Sequence, residues 1–153
     1  MLDIEKVDHI GIRVSDKSRS IDFYKILGFK LITDAGFEKG HPVIMQHSSG
    51  VVLNLLGPST ASDGNNILMD VDEKYSGITH VSYKVKNLTE AKTFLANESI
   101  PLTGEINFKS LHAVFIRDPD RNVIELDAYE EGQPGPRQDV CNEAIQAYQG
   151  HPV

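Results

Sequence analysis

The chain has 153 residues, 40% of them hydrophobic and 24% charged, which suits a globular protein with one core or two small modules that share one. Its net charge of −7 excludes the basic footprint of a general nucleic-acid or anionic-membrane binder. Its single cysteine, Cys141, excludes an intrachain disulfide and a zinc site built from cysteines.

No secretory leader and no apolar stretch of membrane-spanning length can be recognised in the sequence. We therefore expect a cytoplasmic protein whose partners include neither a membrane nor a nucleic acid.

The chain contains two stretches of strand type, residues 8–14 and 79–85, each with a histidine near its start. His9 and His80 are 71 positions apart. The same offset aligns Phe23 with Phe94, Leu31 with Leu102, Val43 with Val114, Leu53 with Ile124 and Leu55 with Leu126. A fixed offset held over about fifty residues indicates a duplicated unit.

The first module, residues 7–57, continues from its strand into a predicted helix of about three turns. The helix is indicated by possible caps, by apolar residues at helical spacing and by a glycine after its end: Ser15, Asp16, Ser18, Ile21, Tyr24, Leu27 and Gly28. Strands are predicted at 29–33, 42–46 and 51–56, which gives the order βαβββ.

A turn-rich linker, residues 58–77, precedes the second module, and within it 67–71 is either a short strand or a mobile loop. The second module, residues 78–130, repeats the order. Asn87 and Glu90 have the spacing of a capping box, and Pro101 is predicted to end the helix. A hairpin of 111–117 and 122–129 follows.

The two modules are expected to form a single domain over residues 1–130. Residues 131–153 form a tail with a possible short helix at 140–148, which either docks on a neighbouring chain or frays in solvent.

Strand alternation places the histidines on a polar face. His9 shares its face with Gly11 and Arg13, and His80 shares its face with Ser82 and Lys84. In the hairpin the apolar set is Val114, Ile116, Ile124 and Leu126. This leaves Phe115 opposite Glu125 on the side of the histidines.

Two copies packed about a pseudo-twofold axis would bring positions 9, 80, 54 and 125 to a common centre. Three of these positions hold metal-binding side chains, His9, His80 and Glu125, while Asn54 is the counterpart of Glu125. Two imidazoles and one carboxylate leave coordination positions open for substrate, as a catalytic metal requires.

A lone histidine at a strand start is usually only a partly exposed polar residue, and Glu125 is by default an outward residue of an amphipathic strand. Their agreement under one offset favours the metal site. The other four histidines are better explained by packing, hydrogen bonding, a turn or the tail: His41, His112, His47 and His151.

Cationic side chains share the predicted site, with Gln46 beside them: Arg13, Lys84 and Arg117. They either capture a carboxylate or phosphate of the substrate or balance the charges of Glu125 and Asp127.

The sequence resembles the vicinal oxygen chelate superfamily, which includes glyoxalase I, extradiol dioxygenases, fosfomycin-resistance thiol transferases and bleomycin-binding proteins. The resemblance rests on the segments HIGIRV at 9–14, RSIDFY at 19–24 with Leu27 and Gly28, THV at 79–81 and DPDRNVIEL at 118–126. It implies an α+β fold of two tandem βαβββ modules that form a curved mixed sheet around a divalent metal ion, often in a homodimer.

The resemblance leaves the activity open. Glyoxalase I has an arginine like Arg13, which binds glutathione, and a fourth ligand, a glutamate, at the position of Asn54. The three-ligand pattern is similar to extradiol dioxygenases and fosfomycin thiol transferases, yet Phe115 occupies the place where extradiol enzymes commonly have tyrosine.

Our leading hypothesis is a glyoxalase-like lyase or isomerase that depends on Ni, Zn, Mn or Fe. Its substrate, a small oxygenated anion, would chelate the ion through adjacent oxygens. Glu125 would ligate the ion and transfer protons, and the substrate would contact Arg13, Lys84, Arg117, Phe115, Asn54 and Gln46. The alternatives are a ring-cleaving dioxygenase and a non-catalytic protein that sequesters a small toxic molecule such as an antibiotic.

Overall fold

The computed structural model describes residues 2–61 and 64–129, so the predicted tail helix lies outside the described residues. The chain divides into two units. Unit 1 comprises Met1–Gly77 together with the turn Asp118–Asn122, and unit 2 comprises Ile78–Arg117 and Val123–Val153. Within the described ranges, no helix is long and apolar enough to cross a membrane.

Unit 1 contains one four-stranded sheet and one α-helix in the predicted order βαβββ. Its elements are β1 (Ile10–Arg13), α1 (Lys17–Ile26), β2 (Phe29–Asp34), a 3₁₀ turn (Phe37–Lys39), β3 (Val43–His47) and β4 (Val52–Leu56). The strand order is β1-β4-β3-β2, with β1 parallel to β4 and the other neighbours antiparallel. The predicted bounds of β2, β3 and β4 are confirmed to within one residue at each end, whereas β1 begins two residues after the start of the predicted stretch 8–14.

Unit 2 repeats this arrangement. Its elements are β5 (His80–Lys84), α2 (Leu88–Asn97), β6 (Gly104–Phe108), β7 (Leu111–Arg117) and β8 (Val123–Tyr129). The strand order is β5-β8-β7-β6, again with one parallel pair, β5 with β8.

The strand register shows that the duplication extends to the hydrogen-bonded ladders. Gly11 pairs with Asn54 as Ser82 pairs with Glu125, and each residue is shifted by 71 positions. Three further ladder pairs of unit 1 recur in unit 2 after the same shift. The pair Ile44–Asn54 corresponds to Phe115–Glu125, Thr33–Ile44 corresponds to Gly104–Phe115, and Val43–Leu55 corresponds to Val114–Leu126. A single register in both sheets fixes which side chains share a face.

The helix starts follow the predicted capping. The Asp16 carboxylate accepts the backbone N–H of Arg19 at 2.8 Å, and the Asn87 side chain accepts that of Glu90 at 3.1 Å. The Glu90 carboxylate in turn accepts the Asn87 side-chain amide at 3.1 Å. Each cap satisfies a backbone donor that the first turn of the helix leaves open.

Two expectations need correction. Helix α2 ends at Asn97, four residues before Pro101, and the chain turns at Ser99, whose φ of 58° is left-handed. Its counterpart after α1 is Gly28, with φ of 92°. The turn thus ends the helix, and Pro101 lies beyond it. Residues 67–71 form turns and bends, so the alternative of a short strand there was wrong.

The apolar and polar faces are those that the alternation predicts. In β1, Ile12 is buried whereas Gly11 and Arg13 are exposed. In unit 2, the predicted apolar set is buried: Val114, Ile116, Ile124 and Leu126. One face of each sheet supplies most of the core, although Ala113, Val123 and Asp127 on the histidine-bearing face of unit 2 are also buried.

A buried hydrogen bond from Tyr24 anchors the turn Asp118–Asn122 in unit 1, and three further hydrogen bonds to the Asp118 carboxylate stabilise the turn itself. The Asp118 carboxylate accepts the Tyr24 hydroxyl at 2.9 Å, the backbone N–H groups of Asp120 and Asn122 at 2.9 and 2.8 Å, and the Asn122 side-chain amide at 2.9 Å. Burial raises the pKa of the Asp118 carboxyl above its usual value, although these hydrogen bonds favour the charged form.

We predict that Asp118→Asn lowers the free energy of unfolding by about 1–3 kcal/mol near neutral pH, because an amide offers one acceptor oxygen to donors that now share two. The raised pKa sets the sign of the pH effect. As pH rises from 3.8 through the folded-state pKa, wild type loses stability relative to the uncharged variant. Urea unfolding at several pH values should therefore show a larger cost of the substitution at acidic pH. A cost that grows with pH would contradict this account.

Gly57 permits a close approach of the buried Phe37 ring, since a Cβ atom at position 57 would overlap that ring. We predict that Gly57→Ala lowers the free energy of unfolding by about 1–3 kcal/mol. Gly11→Ala is the matched control, because a Cβ atom there would lie 3.6 Å from Leu56, an ordinary contact. Equal losses in the two variants, measured by thermal or urea unfolding, would contradict the prediction.

Candidate metal centre

The centre of the candidate site is a contact between His80, the first residue of β5, and Glu125 in the middle of β8. His80 Nε2 lies 3.0 Å from Glu125 Oε2, and His80 Nδ1 lies 2.8 Å from Thr79 Oγ1. The histidine side chain is 40% exposed and the glutamate side chain 13% exposed. Thr79 therefore holds one ring nitrogen while the other is directed toward a largely buried carboxylate.

The spacing of these two atoms fits a divalent metal ion. Two metal–ligand bonds of about 2.1 Å that meet at a right angle place their donor atoms about 3.0 Å apart. His80 Nε2 and Glu125 Oε2 have this separation. A direct hydrogen bond between an imidazole and a carboxylate has the same length. The pair can thus occupy two adjacent positions of a metal ion.

His9, the predicted third ligand, belongs to unit 1 and precedes β1. It is exposed, and its Nδ1 atom lies 2.8 Å from Asp8 Oδ2. Among the described residues, no group of three or more His, Cys, Asp and Glu side chains is placed so that it could hold a metal ion. The role of His9 therefore stays a prediction from the duplicated sequence.

The other predicted site residues of unit 1 lie on the expected face. Asn54 is half-buried in β4 between Gly11 and Ile44, at the position that Glu125 has in unit 2. Arg13 and Gln46 are exposed. These side chains line one face of one sheet, as the alternation predicted.

In unit 2, Phe115 lies beside Glu125 in the ladder, and its ring meets the His80 ring edge-on with centroids 6.3 Å apart. Lys84 is exposed, with its ammonium 5.1 Å from the centre of the Tyr129 ring. Arg117 is half-buried and pairs with Val123. The carboxylate of the pair is therefore flanked by an aromatic ring and shares its face with two cations.

A buried carboxylate near the pair received no site role from the sequence. Asp127 is 5% exposed, and its Oδ2 atom accepts the Ser82 hydroxyl at 2.5 Å. Its Oδ1 atom has no hydrogen-bond partner among the described residues. The alternation placed Asp127 on this face, but nothing in the sequence distinguished a buried carboxylate from one that balances surface charge.

Of the other histidines, those in the described residues make local hydrogen bonds or are exposed. His112 Nδ1 lies 2.7 Å from Asn107 Oδ1, and His47 Nδ1 lies 2.8 Å from Ser49 Oγ. His41 is exposed before β3. His151 lies outside the described residues. Local hydrogen bonding accounts for His112 and His47, as expected for residues without a ligand role.

Comparison with known proteins identifies the family of the chain. A family model described as the Glyoxalase/Bleomycin resistance protein/Dioxygenase superfamily matches residues 6–126. A lactoylglutathione lyase of Schizosaccharomyces pombe is 26% identical over 148 residues, which cover 84% of this chain and 49% of that protein. The chain thus spans about half the length of that relative.

Solved structures show the same fold. A glyoxalase/dioxygenase from Nostoc punctiforme superposes with a TM-score of 0.66 at 22% identity, covering 83% of this chain and 92% of that one. TnmS3, an antibiotic binding protein from Streptomyces sp. CB03234, superposes with a TM-score of 0.65 at 19% identity, covering 85% and 100%. With the family model matching most of its length, this chain belongs to the Glyoxalase/Bleomycin resistance protein/Dioxygenase superfamily.

Proposed function

We propose that the protein is a divalent-metal-dependent lyase or isomerase of glyoxalase type that acts on a small oxygenated anion. The observation that carries the proposal is the 3.0 Å contact between His80 Nε2 and Glu125 Oε2. Members of the superfamily generally use divalent metal ions, and the relatives include a lactoylglutathione lyase. The chain's location in the cytoplasm and its homodimeric state stay predictions.

In this proposal His80 and Glu125 supply two ligands, and His9 supplies the third. A bound divalent ion would act as a Lewis acid on two adjacent oxygens of the substrate. Thr79 fixes the orientation of the His80 ring, and the Phe115 ring lies edge-on to it. This arrangement explains why a ligand histidine can be 40% exposed and still have a defined direction.

Proton transfer is assigned to Glu125, which can accept a proton from a substrate carbon and return it to the neighbouring carbon. The equivalent position in unit 1 is Asn54, which has no basic group near neutral pH. A single carboxylate would therefore serve both transfers. Binding of the negatively charged group of the substrate is assigned to Arg13 and Lys84. Arg13 is an exposed cation on the face of His9, and Lys84 is one on the face of His80.

One different function has a specific observation in its favour. TnmS3 shares the fold and is an antibiotic binding protein, and the described residues contain no complete group of three metal ligands. A protein that sequesters a small molecule needs the apolar and cationic surroundings of the pair without a metal ion. A ring-cleaving dioxygenase has weaker support, because Phe115 lacks the hydroxyl expected at that position.

We predict that His80→Ala lowers the affinity for Ni, Zn, Mn or Fe at least about 100-fold, because one of the three proposed ligands is lost and the two that remain, His9 and Glu125, would hold such ions more weakly. Metal content after dialysis and calorimetric titration measure this loss. His41→Ala is the matched control, because His41 is an exposed histidine outside the site, and it should bind metal like wild type.

The outcomes separate the candidate functions. Metal binding that needs His80, with conversion of a thiol–oxoaldehyde adduct to its hydroxythioester, supports the lyase or isomerase. Oxygen uptake with catechols supports the dioxygenase. Wild type that retains no metal, and whose melting temperature does not rise with added metal, would contradict the proposal and favour sequestration. Equal metal retention by wild type and His80→Ala would show that the site is misplaced.

A further inference from the structure

Strand β6, at the edge of the unit 2 sheet, has an inverted pattern of apolar and polar residues. Glu105 and Asn107 project toward the side of helix α2, where Glu105 pairs with Lys92 and Asn107 lies 2.7 Å from His112. Ile106 and Phe108 therefore project to the opposite face, where they are 46% and 55% exposed. An edge strand usually directs its apolar residues to the core and its polar residues to solvent.

The exposed apolar residues lie on the face of the His80–Glu125 pair. Across strands β8, β7 and β6, one row of paired residues on this face is Glu125, Phe115 and Gly104. The next row on the same face is Asp127, Ala113 and Ile106. Phe108 follows one row further, beside Leu111. Phe115, Ile106 and Phe108 thus form a continuous apolar strip, and we use this name for these three residues.

Gly104 contributes to the shape of the strip. A Cβ atom at this position would lie 3.3 Å from Phe115 Cδ2, which is closer than ordinary packing allows. The Phe115 ring can therefore rest against the backbone of β6 and extend the apolar surface from the pair toward Ile106. With strands about 4.8 Å apart and residues about 3.3 Å apart along a strand, Ile106 lies roughly 12 Å from Glu125.

The first half of the chain lacks an equivalent strip. The positions that correspond to Ile106 and Phe108 are Ala35 and Phe37, and Phe37 is buried against Gly57. Exposed apolar residues at these two positions are therefore a feature of unit 2 alone. A purely structural requirement of the repeated fold would act on both copies.

The size of the strip favours a small occupant. The side chains of Ile106 and Phe108, each about half exposed, together present about 200 Å² of apolar surface. A specific interface between proteins buries about 800 Å² on each partner. The strip is too small to hold a second copy by itself, and it is continuous with the site assigned to the substrate.

We propose that the strip binds an apolar arm of the substrate, so that the substrate class is an oxygenated anion with an aryl or long alkyl group. This inference rests on the proposed function. The adjacent oxygens would meet the His80–Glu125 pair, and the arm would cross Phe115 to reach Ile106 and Phe108. Selectivity for large over small substrates would then come from β6, which contributes no metal ligand.

The test compares two hydroxamates, which chelate divalent ions through adjacent oxygens, one with a methyl group and one with a phenylbutyl group. Calorimetry with the zinc-loaded full chain should show at least tenfold tighter binding of the phenylbutyl compound. Ile106→Thr and Phe108→Ser should each reduce this preference about three- to tenfold and change the methyl compound's affinity less than twofold. Equal affinities of wild type for both compounds would overturn the proposal.

Ile32→Thr is the matched control, because Ile32 is a 56% exposed isoleucine on the edge strand β2 of unit 1. It should leave the preference unchanged. An equal loss in this variant would overturn the proposal. The proposal would also be overturned if Ile106→Thr dissociated a dimer and left the preference for the phenylbutyl compound unchanged. The strip would then bind a second copy of the chain.

The proposed function and this inference fail in distinguishable ways. If wild type binds no metal, the proposed function fails. Ligand binding by the strip is then measured with anilinonaphthalene sulfonate, an apolar anion, in the metal-free chain. Binding that Ile106→Thr weakens at least threefold and Ile32→Thr does not supports the strip. Binding that is equal in the three proteins, or absent from wild type, overturns it.

Discussion

The parallel pairing of β5 with β8 is the constraint on which the candidate site depends. It sets Ser82 beside Glu125. Strand alternation then places His80, two residues before Ser82, on the same face. A shift of this register by one residue would turn Glu125 toward the buried side and remove the contact. The buried partners Ile124 and Leu126 oppose such a shift, because it would expose them. Core packing therefore determines the geometry of the polar site.

The same register in unit 1 gives a different chemical result. Gly11 and Asn54 occupy the positions of Ser82 and Glu125. The two halves thus share a backbone and differ in the groups that the backbone presents. Unit 2 supplies a carboxylate, an aromatic wall and the apolar strip, whereas unit 1 supplies an amide and an exposed arginine. The two sheets therefore share one backbone arrangement, and only the sheet of unit 2 presents a carboxylate at this position.

Much of the fold could be predicted because its signals are local. Alternation assigned the buried face, Asp16 and Asn87 marked the helix starts, and the offset of 71 positions predicted a duplicated unit, whose two ladders share one register. The helix end near Pro101 was misplaced, because the left-handed conformation of Ser99 is uncommon for a residue other than glycine. The apolar strip was missed because β6 was not delimited, although the alternation of residues 104–108 contained the signal.

The candidate site was predictable in part. The contact of His80 with Glu125 follows from pairing and alternation, which the sequence contains. The burial of Asp127 and the anchoring of the His80 ring by Thr79 depend on side-chain positions that no spacing reveals.

X-ray absorption spectroscopy of the zinc-loaded protein would test the central claim most directly. The account predicts nitrogen and oxygen ligands at about 2.0–2.2 Å, with the outer-shell scattering of imidazole. A spectrum without imidazole scattering would contradict it.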